Sequence, residues 1–143
     1  MHQKFIIQQY CILFVIGAVL YSVLEIVWRG YTHWTMALTG GFCLTVLVWI
    51  NRMMQQRSLW LRALIGATLI TAVEFLVGSV VNLWLGWQVW DYSARFCNIY
   101  GQICPLFSGL WFLLCLPLMS FMTVINRREQ DDFEDGRKSL PLS

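Results

Sequence analysis

The sequence predicts an all-α membrane protein of four transmembrane helices, with both termini cytoplasmic and a long aromatic-rich outer loop between helices 3 and 4. Three observations predict it. The 143 residues are 58% hydrophobic and only 13% charged, with mean hydropathy +0.60, against about 25% charged for an ordinary soluble domain. Four apolar runs are each close to the roughly 20 residues that cross a bilayer as a helix. Finally, the basic residues fall between those runs and alternate in density, which is the signature of topology rather than of a nucleic-acid surface. A net charge of +2 gives no reason to expect a nucleic-acid partner.

The first span reads from Phe5 to Val27, interrupted late by Glu25 and closed by Trp28-Arg29-Gly30. Lys4 ahead of it imitates the basic start of a secretory signal. The apolar run exceeds the ~7 to 15 residues of a signal core, however, and no A-x-A-like site follows, so the segment is expected to remain as a helix. A turn, Gly30-Tyr31-Thr32-His33-Trp34, leads into a second span from Thr35 to Ile50 carrying Gly40-Gly41, a pair that invites close helix packing. Met53 to Ser58 form a polar loop. The third span runs from Leu61 to Leu83 with Glu74 near its middle, and the fourth from Ile103 to Ile125 with Pro105 at its start and Pro117 inside, where a kink is expected. Residues 1–126 make one four-helix transmembrane domain. Residues 127–143, rich in charge and poor in apolar side chains, read as a disordered cytoplasmic tail.

Orientation follows from counting Lys and Arg on each side. The N-terminus, middle loop and tail carry Lys4, Arg52, Arg57, Arg62, Arg127, Arg128, Arg137 and Lys138, whereas the two other turns carry only Arg29 and Arg95. By the positive-inside rule the first set faces the cytoplasm. The Glu25 to Trp34 turn and the Trp84 to Pro105 loop then share the outer face, where they can build one site. That loop, WLGWQVWDYSARFCNIYGQICP, interleaves Asp91, Ser93, Arg95, Asn98 and Gln102 with six aromatic residues, the mixture expected at a membrane surface or where chain folds back into protein.

Ionisable residues inside a bilayer are costly and therefore candidates for function. Glu25 and Arg29 are four apart with the acid N-terminal, the favoured order for an intrahelical pair. They read either as a neutralised pair orienting the helix or as a site in which Arg29 holds an anionic group. Glu74 lies about ten residues, or ~15 Å of rise, from the outer end of its span, with no basic residue within a turn. It belongs to a small and polar stripe, Ala63, Ala67, Thr71, Glu74, Gly78 and Asn82, and a second stripe, Gly17, Tyr21, Glu25 and Arg29, runs along the first span. Such stripes face protein rather than lipid, so the two carboxylate helices are expected to meet. Structural glue and a titrating group are the two readings of Glu74. Val23-Leu24-Glu25-Ile26 and Ala72-Val73-Glu74-Phe75 are also alike enough to raise an internal duplication, which would suit a site between repeats.

The candidate substrate- or ion-binding set is Glu25, Arg29, His33, Glu74, Asp91, Arg95 and Asn98. One histidine among scattered carboxylates is a weak metal signal, and no metal or cofactor is expected. Cys11, Cys43 and Cys115 lie within spans; Cys97 and Cys104 are placed where a short-loop disulfide is conceivable, although no C-x-x-C occurs. The sequence holds no Walker A, G-x-S-x-G, H-E-x-x-H or G-x-G-x-x-G motif, and no catalytic constellation, so an enzyme is not expected.

The run Trp90-Asp91-Tyr92-Ser93, then Asn98, Gly101-Gln102-Ile103-Cys104, Phe107-Ser108 and Trp111, resembles the signature of the putative ABC-transporter type IV proteins, the CmpB-like family of small bacterial membrane proteins. Arg29-Gly30, Thr32-His33, Met36 and Gly40-Gly41 are similar to the first half of that pattern. The resemblance implies a multi-pass protein of the bacterial inner membrane with a transport role. Lacking a nucleotide-binding motif and holding few spans, such a chain would need a separate ATPase subunit, another membrane subunit or further copies of itself. Two functions are therefore expected in competition. One is a permease or transporter subunit that takes a small polar solute or cation at its buried carboxylates. The other is a non-transporting accessory or sensing component whose aromatic loop docks lipid or another subunit.

Overall fold

The computed structural model describes the backbone of residues 2–138 and the side chains of residues 7–128. Four α-helices follow in order: α1 (His2–Arg29), α2 (Trp34–Met53), α3 (Leu59–Gly78) and α4 (Pro105–Lys138). The described residues contain no strand, and four helical segments, Ile7–Arg29, Trp34–Met53, Leu59–Trp84 and Pro105–Arg128, are long and apolar enough to cross a membrane.

Local chemistry sets the helix ends. Gly30 takes φ +81 and its N–H returns to the Ile26 carbonyl at 2.8 Å, the left-handed stop that glycine adopts without strain. Three residues on, His33 caps α2 by accepting from the Thr35 N–H, and Ser58 caps α3 by accepting from the Leu61 N–H at 3.4 Å. Pro105 occupies the first position of α4, where its missing N–H costs no hydrogen bond. α3 does not stop cleanly at Gly78: a π-helical turn, Ser79–Trp84, widens its C-terminal end.

α1 packs on α2, α2 on α3 and α4, and α3 on α4, whereas no Cα of α1 lies within 8 Å of a Cα of α4 among the described residues. The α1–α2 contact is made by glycine. A Cβ on Gly17 would lie 2.6 Å from the Gly40 carbonyl, and one on Gly41 would lie 2.7 Å from the Phe14 carbonyl, so these backbones touch directly. Between α2, α3 and α4 the core is filled by Leu44, Leu47, Ile70, Cys115, Met119 and Met122 with their neighbours.

Charge separates the two ends. Bonds from Arg52 to Asn126 and from Arg62 to Asn51 and Thr123 bring the end of α2, the start of α3 and the membrane-side end of α4 together. At the opposite end lie Glu25, Arg29 and residues 85–104.

One feature differs from the sequence reading. α4 does not end near Ile125 but continues to Lys138, through a stretch read above as disordered tail. That stretch has no proline, and its Arg, Glu and Gln residues have good helix propensity; residues 139–143 lie outside the described residues. Of the two cysteines between which a short-loop disulfide is conceivable, Cys97 is free and exposed and Cys104 is free and buried.

Candidate functional site

Residues 85–104 are held onto the bundle by an amide pair, the half-buried Asn82 and the buried Gln102. Asn82, on the π-helical turn, accepts from the Val89 N–H at 2.7 Å and donates to Gln102 Oε1 at 2.8 Å. Gln102 in turn donates to the Tyr100 carbonyl at 2.8 Å, and the Trp90 indole donates to the Gln102 carbonyl at 2.9 Å. Trp90 and Gln102 are only 4% and 3% exposed. They reach this depth because Gly78 leaves room, since a Cβ there would stand 2.4 Å from Gln102 Oε1. Above this plug, Asn98 bonds the Ser93 and Arg95 carbonyls and the Gly101 N–H. Asp91 accepts from both the hydroxyl and the N–H of Ser93, and those bonds hold its exposed carboxyl below the usual range. Gly101 takes φ +70, and a Cβ on it would lie 2.8 Å from Asp91 Oδ1.

Beneath the loop lies the ionic part of the site. Glu25 is buried and pairs with Arg29 one turn later on α1. Its second oxygen accepts from Thr32 Oγ1 at 2.6 Å. Arg29 donates its other terminal nitrogen to the Val89 carbonyl at 3.0 Å and lies 5.2 Å from the centre of the Tyr31 ring. This guanidinium therefore joins α1 to the capping loop, a use better suited to its planar donors than to an ammonium.

Glu74 lies one layer deeper and is 3% exposed. Tyr21 of α1 donates its hydroxyl to one carboxyl oxygen at 2.8 Å, and the Trp111 indole of α4 donates to the other at 2.9 Å. The Tyr21 and Trp111 rings stack at 5.6 Å and 24°, so the two donors also support each other. Glu74 thus links side chains from two helices whose backbones stay apart. Glu25 and Arg29 lie within electrostatic reach of Glu74. Tyr92, stacked on Phe107 at 4.4 Å above this layer, has its hydroxyl held above the ordinary phenol range, first by burial and then by the nearby Glu74 charge.

The structure brings together three residues of the predicted set, Glu25, Arg29 and Glu74. His33 sits at their edge as the cap of α2, with the Trp34 and Trp87 rings each 5.7 Å away and Thr35 Oγ1 at 2.8 Å from Nδ1. Asp91, Arg95 and Asn98 do not reach the carboxylates; Asp91 and Asn98 shape the loop, and Arg95 is exposed. No group of three or more potential metal-ligating side chains occurs among the described residues. Tyr21 and Trp111 complete the site, and sequence reasoning gave neither a role in it. The signals were Tyr21 in the polar stripe one turn before Glu25, and an indole placed inside a span rather than at its interface.

Under this layer a cavity of about 290 Å³ opens between α1 and α4, with Tyr21 and Trp111 in its wall and apolar side chains such as Leu20, Leu44 and Leu118 around it. Comparison with known proteins gives one finding: the model of a protein family described as putative ABC-transporter type IV matches residues 1–137. No curated protein and no solved structure matches.

Proposed function

We propose, for a chain that belongs to the putative ABC-transporter type IV family, that it is a permease or transporter subunit of the bacterial inner membrane whose responsive group is Glu74. The observation that carries this reading is the double use of one buried carboxyl: its two oxygens hold Tyr21 of α1 and Trp111 of α4. A proton or an arriving cation competes for those oxygens. An indole N–H can only donate, whereas a tyrosine hydroxyl can donate or accept. Loss of an acceptor site therefore acts on the α1–α4 tie, and a carboxyl that changes its partners can shift a two-state helix arrangement. Glu25 and Arg29 keep the neighbouring charge balanced and hold the loop closed over the layer.

In this proposal both termini are cytoplasmic, because the end of the bundle bearing Arg52, Arg57, Arg62, Arg127 and Arg128 follows the positive-inside rule. The energy-supplying ATPase is a separate subunit, since the sequence has no P-loop. A second reading is favoured by the closed Trp90–Gln102 plug: an accessory or sensing component that docks lipid or another membrane subunit through its aromatic outer face.

Flux into proteoliposomes separates the two. Purified protein is reconstituted with pH-, Na⁺- and K⁺-sensitive dyes inside, and an inward gradient of each ion is imposed. The transport reading expects flux that Glu74→Gln abolishes while the protein remains monodisperse. Wild-type vesicles as tight as protein-free ones to all three ions, with or without a copurifying ATPase and ATP, would leave the accessory reading in its place.

A further inference from the structure

The opposite end of the bundle buries a cation. Arg62 is 6% exposed; its Nη1 donates to Asn51 Oδ1 and Thr123 Oγ1, each at 2.7 Å, while its Nε has no partner. These acceptors are neutral. Among the described side chains the carboxylates are Glu25, Glu74 and Asp91, all on the other side of the bundle, so none offsets this charge. One turn along α4 from Thr123, Asn126 is also 6% exposed; it accepts from Arg52 Nε at 3.3 Å, and its Nδ2 has no partner. A buried amide donor without an acceptor is costly unless something supplies one.

Arg52 and Asn126 form the polar rim of a cavity of about 220 Å³ whose other walls are mainly Ile12, Leu13, Val48 and Met122. One helical turn deeper, the 290 Å³ cavity below Trp111 continues between the same α1, α2 and α4. The two form a cleft along the line where α1 and α4 fail to meet. From Asn126 to Trp111 is about 15 residues, or ~22 Å of α4, enough for a chain that crosses one leaflet of a hydrocarbon core ~30 Å thick. Donors and positive charge at the rim with apolar walls behind them match the phosphate and acyl chain of one lipid.

We propose that this cleft seats an anionic phospholipid. One acyl chain lies between α1 and α4 with α2 as the floor, and the phosphate is received by Arg52 and the Asn126 amide. Arg62, one turn behind the rim, adds positive field without needing to touch the headgroup. The site has the composition by which basic pockets between transmembrane helices select acidic headgroups: donors at the mouth and apolar walls within.

Native mass spectrometry of the full chain, equilibrated with an equimolar mixture of phosphatidylglycerol and phosphatidylcholine of identical acyl chains, tests it. Wild-type protein is expected to retain one phosphatidylglycerol with at least a tenfold preference. Arg52→Gln should reduce that preference to within twofold, Arg52→Lys should keep most of it, and Leu118→Trp, which fills the cleft, should release both lipids. If Leu118→Trp fails to fold, Ile12→Trp at the exposed mouth serves the same purpose. Equal retention of the two lipids by wild type, undiminished preference in Arg52→Gln, or a lipid-free dimer that Ile12→Trp dissociates would each overturn the proposal. The last outcome would assign the cleft to a second copy of the chain.

Discussion

Replacing Glu74 by leucine and by glutamine separates hydrogen bonding from charge in the layer beneath the loop. Leucine leaves two buried donors, the Tyr21 hydroxyl and the Trp111 indole, without their present acceptors. Stranding a buried donor costs about 1–3 kcal/mol in soluble proteins, and hydrogen bonds between membrane helices average about 0.6 with a maximum near 1.7 kcal/mol. Glu74→Leu is therefore expected to lose about 1–4 kcal/mol. Glutamine keeps both contacts if its carbonyl accepts from Trp111 and its amide donates to the Tyr21 oxygen, which can reverse its role. Glu74→Gln should then lie within about 1 kcal/mol of wild type. Unfolding by graded addition of sodium dodecyl sulfate to mixed micelles, followed by far-ultraviolet circular dichroism, reads both variants. Equal loss in the two would refute the reasoning, since it would mean that the charge of Glu74 facing Arg29 holds the layer and not the pair of donors. Leucine without effect would equally refute it.

The Glu25–Arg29 pair should behave as a unit: Glu25→Gln and Arg29→Gln together should destabilise less than the sum of the two, by about 0.5–3 kcal/mol in a double-mutant cycle, and simple additivity would show the contact to be energetically idle. Gly40→Ala would place a Cβ 2.2 Å from the Tyr21 Cβ and 2.8 Å from the Gly17 carbonyl. The expected loss is about 1–3 kcal/mol in the same unfolding assay, whereas Gly109→Ala, which meets nothing within 4 Å, should be neutral or slightly stabilising. For orientation, a cysteine introduced at Gln88 in an otherwise cysteine-free chain should react with an impermeant thiol reagent on spheroplasts, and one at Gln56 should not; the reverse pattern would invert the topology.

The four spans were legible because bilayer crossing imposes a composition, and composition is read without knowing any contact. Two further features were legible as periodicity. On α3, Ala63, Ala67, Glu74 and Gly78 are buried as their spacing predicted, and on α1 so are Gly17 and Glu25. The partners of those residues were not legible, because spacing along one helix does not say which neighbour it meets. The α1 stripe packs its backbone on α2 through Gly17 and Gly40, and it reaches Glu74 only by the length of the Tyr21 side chain. Asp91, Arg95 and Asn98 illustrate a different failure. Their residue types suit a ligand site and a turn equally well, and in this loop Asp91 and Asn98 spend their hydrogen bonds on backbone within ten residues. Arg62 was counted toward topology, as its loop position warrants, but its burial against Asn51 and Thr123 depends on α2 and α4 converging there.

The same geometry accounts for both the Glu74 layer and the Arg52 cleft. α1 is fixed to α2 by direct glycine contact, yet its links to the rest of the bundle include only a few side chains: Tyr21 to Glu74, Arg29 to the Val89 carbonyl, and the edge contact of Trp28 with Phe107 at 5.9 Å. Were a helix attached in this way to pivot on its glycine seam, the side that opens or narrows would be the side facing α4. The cleft lies there. Lipid bound at Arg52 and a change of partners at Glu74 would therefore act on one coordinate, the separation of α1 from α4, from opposite ends. Coupling between them must be reciprocal if it exists. Glu74→Leu, which removes both acceptors, should then alter retention of phosphatidylglycerol although Glu74 lies outside both described cavity walls, whereas an α1 held rigidly by α2 alone would leave lipid retention unchanged in that variant.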